Sequence, residues 1–76
     1  MLSACILIRT QHSKFEDVIK TISNFQGVKN IFPTLGRYDV VVDLEVASLN
    51  EMSTMILRMG NMSGVVFTET LLEIFQ

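Results

Sequence analysis

Seventy-six residues bound the chain to one small domain, and a chain of this size buries only about 60% of its unfolded surface, so it needs a staple or a partner. A single cysteine, Cys5, and a single histidine, His12, exclude a disulfide framework and a structural zinc site. With 49% hydrophobic and 18% charged residues and a formal charge of −2, the composition points to subunit association and away from direct nucleic-acid binding, which relies on clustered Lys and Arg to neutralise phosphates.

The first predicted element is a strand from Ser3 to Arg9. Its uninterrupted apolar run, Ala4 to Ile8, falls far short of the ~20 residues of a membrane-spanning helix. It also lacks the basic start of a signal peptide, so a cytoplasmic location is expected. Side chains alternate along a strand, which puts Ala4, Ile6 and Ile8 on one side and Cys5 and Leu7 on the other. Only one of these sides can meet a helix layer; the other predicts an apolar face covered by a second subunit, stacked sheet on sheet or extended edge to edge. The residues do not say which side is which.

Ser13-Lys14-Phe15-Glu16 then has the form of a capping box, in which the Ser hydroxyl accepts from the N3 amide and the Glu reaches back to the N-cap amide. Phe15, Val18, Ile19, Ile22 and Phe25 follow at helical spacing. After the punctuation Asn24-Phe25-Gln26-Gly27 comes a second strand, Val28 to Leu35. Leu35-Gly36-Arg37-Tyr38 is expected as a tight type II′ turn with Gly36 at its first central position. The third strand, Arg37 to Val46, is expected to place Asp39, Asp43 and Glu45 on one face with Val41. Ser48-Leu49-Asn50-Glu51 repeats the capping box, with Leu49, Met52, Met55, Ile56 and Met59 along one stripe. Asn61-Met62-Ser63-Gly64 repeats the punctuation before a last strand, Val65 to Phe75. The two halves share one plan, and the order β-α-β-β-α-β predicts an α+β, ferredoxin-like split βαβ fold: a four-stranded antiparallel sheet with both helices on one face, in a single domain over residues 1–76.

No Gly-rich phosphate loop, Cys-x-x-Cys pair or nucleophile elbow is present, so neither a catalytic residue, a metal nor a cofactor is expected. His12 is expected to be solvated in a loop. Cys5 is expected to be an inert packed thiol, the methionine stripe core filler, and Glu69 and Glu73 a solvated edge. The segment Thr34-Leu35-Gly36-Arg37-Tyr38-Asp39 is different, because it gathers hydroxyl, guanidinium, phenol and carboxylate groups around one turn. A carboxylate can hold an ammonium group while Arg37 or free backbone amides hold a carboxylate, which together suit a zwitterionic amino acid. The bland alternative is that Gly36 serves the turn, Asp39 bridges backbone amides and Arg37 is solvated.

These residues also carry a resemblance. Ala4-Cys5-Ile6-Leu7-Ile8, Gly27-Val28, Gly36-Arg37-Tyr38-Asp39 followed by Val40-Val41-Val42, and Gly64-Val65 with Thr68-Glu69-Thr70 resemble the effector-binding RAM domain of the Lrp/AsnC (feast/famine) transcription regulators, over nearly the whole chain. In the stand-alone type that it resembles, the helix-turn-helix is missing, and no DNA binding by the chain itself is expected. The resemblance implies dimers and higher oligomers, possible hetero-assembly with helix-turn-helix-bearing relatives, and a small-molecule effector, commonly an amino acid, bound at subunit contacts. Carried over, the effector loop is Gly36, Arg37, Tyr38 and Asp39, joined by Thr34 and by Thr68, Glu69 and Thr70 of a neighbouring subunit. Where many members have Thr directly before the Gly, this chain has Leu35, with Thr34 one position earlier. Two other readings compete: a dimeric ferredoxin-like enzyme of the small monooxygenase or isomerase type, and a structural adaptor that co-assembles with longer regulators.

Overall fold

The computed structural model describes residues 1–73. Six elements follow the expected order: β1 (Leu2–Thr10), α1 (Phe15–Ile22), β2 (Val28–Pro33), β3 (Val40–Val46), α2 (Leu49–Gly60) and β4 (Val65–Leu72). They build one four-stranded sheet in the order β2-β3-β1-β4 with every neighbouring pair antiparallel, the ferredoxin-like arrangement. The expected continuation of the last strand to Phe75 lies outside the described residues.

Strand alternation decides which side is inside. Ala4, Ile6, Ile8 and Thr10 of β1 and Val40, Val42, Leu44 and Val46 of β3 are buried, and the apolar ones form one core with Val18 and Ile22 of α1 and Met52 and Met59 of α2. Each fully buried side chain of this size contributes about 1.5–3 kcal/mol. That contribution is what holds an eight-residue helix such as α1, which is too short to persist alone. The methionine stripe is core filler at Met52 and Met59, whereas Leu49 and part of Phe15 stay in water. Cys5, Leu7, Val41, Asp43 and Glu45 occupy the opposite, open face of the sheet.

Two local expectations are corrected. The second capping box forms, with the Glu51 amide donating to Ser48 Oγ at 3.2 Å and the Ala47 amide donating to Glu51 Oε1 at 3.0 Å, one residue earlier than the N-cap. The first does not. Ser13 adopts a left-handed φ of 68°, and Lys14 is the N-cap with no side-chain cap bond. The reason is tertiary: the Gln11 amide is held by the Gly64 carbonyl at 2.8 Å, and the Lys14 amide by the Gln11 carbonyl at 3.0 Å. The chain must therefore turn sharply at Ser13, which takes its hydroxyl out of capping position.

The expected two-residue turn at Gly36 is instead a longer loop over residues 34–39, closed by the Thr34 amide on the Asp39 carbonyl at 2.9 Å. β3 accordingly begins at Val40, not Arg37. The cause again lies in β1: the Asp39 amide donates to the Ile8 carbonyl at 2.9 Å, out of the β1–β3 register in which Ile8 faces Val40. Gly36 still needs to be glycine, because its φ of 131° lies in a region that side chains avoid.

Candidate functional site

The 34–39 loop sits where β1 and β4 meet at one end of the sheet, and four of its residues are tied down. Thr34 donates its hydroxyl to the Tyr38 carbonyl at 2.8 Å. Arg37 is exposed, and its carbonyl accepts from the Arg9 guanidinium. Tyr38 reaches across to β4, where its ring meets Phe67 edge-on at 5.9 Å between centroids and its hydroxyl donates to the Glu69 carboxylate. That hydrogen bond, helped by desolvation and by the Glu69 charge and opposed by Arg37, raises the Tyr38 phenol above its ordinary value.

Asp39 is the most constrained member. Its Oδ2 accepts the Thr10 amide at 2.8 Å, so the carboxylate does bridge a backbone group. Its other oxygen accepts no hydrogen bond among the described residues and remains available. With Phe15, Pro33, Thr34 and Leu35, Asp39 lines a shallow cavity of about 370 Å³. Phe15 and Pro33 were not singled out by the sequence pattern as site residues. The one available signal was Phe15 itself, a large apolar residue at the first turn of a helix, adjacent to the strand end that the loop contacts.

The three residues of β4 divide. Glu69 lies opposite Leu7 and so belongs to the open face, beside Tyr38, while Thr68 and Thr70 lie opposite the buried Ile8 and Ile6 and turn toward the helices. Within one chain, therefore, Thr34, Gly36, Arg37, Tyr38, Asp39 and Glu69 are brought together and the two threonines are not. His12 is exposed. Cys5 is half-buried, and burial followed by the Asp43 charge raises its thiol, as an unreactive cysteine requires. Among the described residues, no group of three or more His, Cys, Asp or Glu side chains is placed to hold a metal ion, and no helix is long and apolar enough to cross a membrane.

Beyond the loop, the open face is apolar in the middle and charged at its ends. Phe32, Phe67 and Leu71 are 39%, 49% and 50% exposed, around half-buried Leu7 and Val41. Arg9 and Arg37 border one end. Asp43 and Glu45 border the other, where Glu45 pairs with Lys29 at 3.3 Å. Three exposed large side chains on one face form the kind of patch that marks an interaction surface.

Comparison with known proteins matches residues 3–74 to the model of the Lrp/AsnC ligand binding domain. The chain is 26% identical over 69 residues to the HTH-type transcriptional regulator FL11 of Pyrococcus abyssi, a match covering 91% of this chain and 46% of that protein. It thus spans about half the length of the curated relatives it matches. Among solved structures, TTHA0845 from Thermus thermophilus superposes with a TM-score of 0.94 at 25% identity, covering 100% of this chain and 96% of the other. The transcriptional regulator NMB0573 from Neisseria meningitidis, solved as a complex with L-Met, shares the fold with a TM-score of 0.86 at 19% identity, covering 99% of this chain and 51% of that one.

Proposed function

The chain belongs to the Lrp/AsnC ligand-binding domain family, and from that premise we propose that it is a regulatory module of one domain, residues 1–76, that senses a small amino-acid-like effector at subunit contacts. The observation that carries this reading is the 34–39 loop, which gathers Asp39 with one free carboxylate oxygen, exposed Arg37 and the hydroxyls of Thr34 and Tyr38 within six residues at one end of the sheet. The Asp39 carboxylate takes the ammonium group and the Arg37 guanidinium the carboxylate, with Gly36 letting the backbone approach closely. Glu69 joins the site within the same chain through Tyr38, and Thr68 and Thr70 contribute from a neighbouring subunit. That an N. meningitidis regulator of the same fold is described with L-Met is consistent with an amino-acid effector.

Self-association follows from the open face, because covering Phe32, Phe67 and Leu71 with a second copy removes from water the surface that the helices leave exposed. Output passes through co-assembly with regulators that bear a helix-turn-helix. The chain itself does not bind DNA, catalyses no reaction and works in the cytoplasm; its net charge of −2 supports the first of these statements. One observation favours a second reading, a structural adaptor without ligand: the Asp39 carboxylate already serves the Thr10 amide.

A thermal-shift and light-scattering screen of the twenty amino acids tests the reading. A ligand at a hundred times its Kd adds about 2.7 kcal/mol of stability, so a true effector moves the melting temperature by several degrees or changes the mass of the assembly. If no amino acid does either, sensing is lost and the adaptor remains.

A further inference from the structure

We infer that the charges at the two ends of the open sheet face select how a second copy stacks on it: the strands of the two copies run in opposite directions, and Arg9 of each copy enters the acidic hollow at Cys5, Asp43 and Glu45 of the other. This rests on the self-association proposed above and adds to it the orientation of the partner and the residues that choose it.

The charges of the face are divided lengthwise. At one end stand Arg9 and Arg37, both exposed. The Arg9 guanidinium gives one N–H to the Arg37 carbonyl, and neither side chain forms an ion pair among the described residues. Among the residues that line a hollow of about 470 Å³ at the other end are Cys5, Lys29, Asp43, Glu45, Leu71 and Glu73. Lys29, its one cation, is already on Glu45 at 3.3 Å, which leaves Asp43 and Glu73 without an ion pair among the described residues. An arginine suits this hollow, because its planar fork meets carboxylates while its stem covers apolar surface such as Leu71.

The strand register supplies the geometry. Leu7 lies opposite Val41 and Glu69, Arg9 opposite Phe67, and Cys5 opposite Asp43 and Leu71. Arg9 and Cys5 stand on either side of Leu7, each about 7 Å along the strand at roughly 3.4 Å per residue. Turning a second copy end over end about a two-fold axis at Leu7 therefore stacks Leu7 on Leu7, Val41 on Val41, Phe67 on Leu71 and Arg9 on Cys5. Asp43 is then one strand away, about 4.8 Å to the side, within reach of the guanidinium. Apolar groups meet apolar groups and cations meet anions in one operation. At the level of the axis Glu69 meets its own copy, and each Glu69 already accepts from its Tyr38 hydroxyl. Stacking with the strands running the same way gathers the arginines of both copies at one end and their carboxylates at the other, and such like-charge contacts oppose association.

Sedimentation of the full chain carrying Arg9→Glu or Asp43→Arg, each alone and the two mixed, tests the inference. Both positions are exposed, so both variants keep the wild-type far-ultraviolet circular dichroism. Each reversal sets like charges against one another at both symmetric contacts and raises the Kd of self-association about a hundredfold. The equimolar mixture recovers the wild-type affinity, because each contact of the mixed pair again joins opposite charges. A mixture that associates no better than either variant alone, or a reversal that leaves self-association unchanged, overturns the orientation. Leu7→Arg, at the axis, then shows whether the open face is the contact at all. Wild-type association that survives it places the contact elsewhere on the molecule, and the open-face reading falls with the orientation. A wild type that stays monomeric at every concentration loses both as well. None of these outcomes bears on amino-acid binding, which the melting screen reads separately.

Discussion

Asp39 anchors the Thr10 amide, and two substitutions separate that anchor from the ligand-binding role proposed for it. Its Oδ2 accepts the Thr10 amide at 2.8 Å, and Thr10 is only 8% exposed, so removing the acceptor strands a buried donor. A hydrogen bond to a charged group contributes about 1.5–3 kcal/mol net, and the partly open setting puts Asp39→Ala near the lower half of that range. Asp39→Asn keeps a side-chain oxygen at the same reach. A neutral bond is worth about 0.5–1.5 kcal/mol, so this variant loses roughly 1 kcal/mol. Domains have about 0.05–0.15 kcal/mol of stability per residue, enough for both variants to fold. With a urea m-value near 1 kcal/mol/M, the midpoint falls by roughly 1.5–2 M for Ala and about 1 M for Asn, measured at one protein concentration so that association stays constant. Amino-acid binding is lost in both, because neither offers a charge to the ammonium group. An Asp39→Ala midpoint equal to wild type refutes the anchoring argument. An Asp39→Asn variant that binds like wild type refutes the ammonium assignment and leaves the anchor standing.

The two capping boxes give opposite outcomes in chemical denaturation: Ser48→Ala costs about 1 kcal/mol for the lost cap, whereas Ser13→Gly gains about 0.5 kcal/mol by relieving a left-handed φ, less the extra freedom of glycine in the unfolded chain. Gly27→Ala is the most damaging glycine change, since at φ 96° its Cβ would lie 2.8 Å from the Glu45 carbonyl oxygen; a loss of about 3 kcal/mol is expected in thermal melts, against about 1–2 kcal/mol at Gly36, where only strain acts. Tyr38 is the only tyrosine, so its alkaline titration can be followed by tyrosinate absorbance: the midpoint lies above the ordinary 10.0 and falls in Glu69→Gln. The stability that its neutral hydroxyl contributes is complete below the unfolded value and is lost as pH rises through the raised folded one.

The fold class and the order of elements along the chain were legible because they are set by neighbours in sequence. Alternation in Ala4-Cys5-Ile6-Leu7-Ile8 fixes two faces, and the repeated Gly-Val punctuation fixes the duplication. What alternation cannot say is which face receives the helices, since Ile8 and Leu7 are equally apolar. The register with Val40 and Val42 on one side and Thr68 and Thr70 on the other decides that, and it is a property of the assembled sheet. Ser13 and Ser48 make the same point: matching local signals diverge because the Gly64 carbonyl captures the Gln11 amide two residues before one box, whereas the Gly27 carbonyl captures the Glu45 amide three residues before the other.

The loop was half legible for the same physical reason. Its polar residue types are visible in order, but their geometry comes from partners some thirty positions away: Asp39 is held by Ile8 and Thr10, Arg37 by Arg9, and Tyr38 by Phe67 and Glu69. These ties join the candidate effector loop to both β1 and β4 at the border of the open sheet face. A ligand shifts an assembly equilibrium only by its difference in affinity for the two states, and that difference requires a structural element that both the ligand and the interface touch. Tyr38 meets this requirement on geometry, with its carbonyl held inside the loop by Thr34 and its ring on the face beside Phe67. A loop lacking that side chain would still present Asp39 and Arg37, but it would have no arm on the exposed apolar face proposed as the subunit contact.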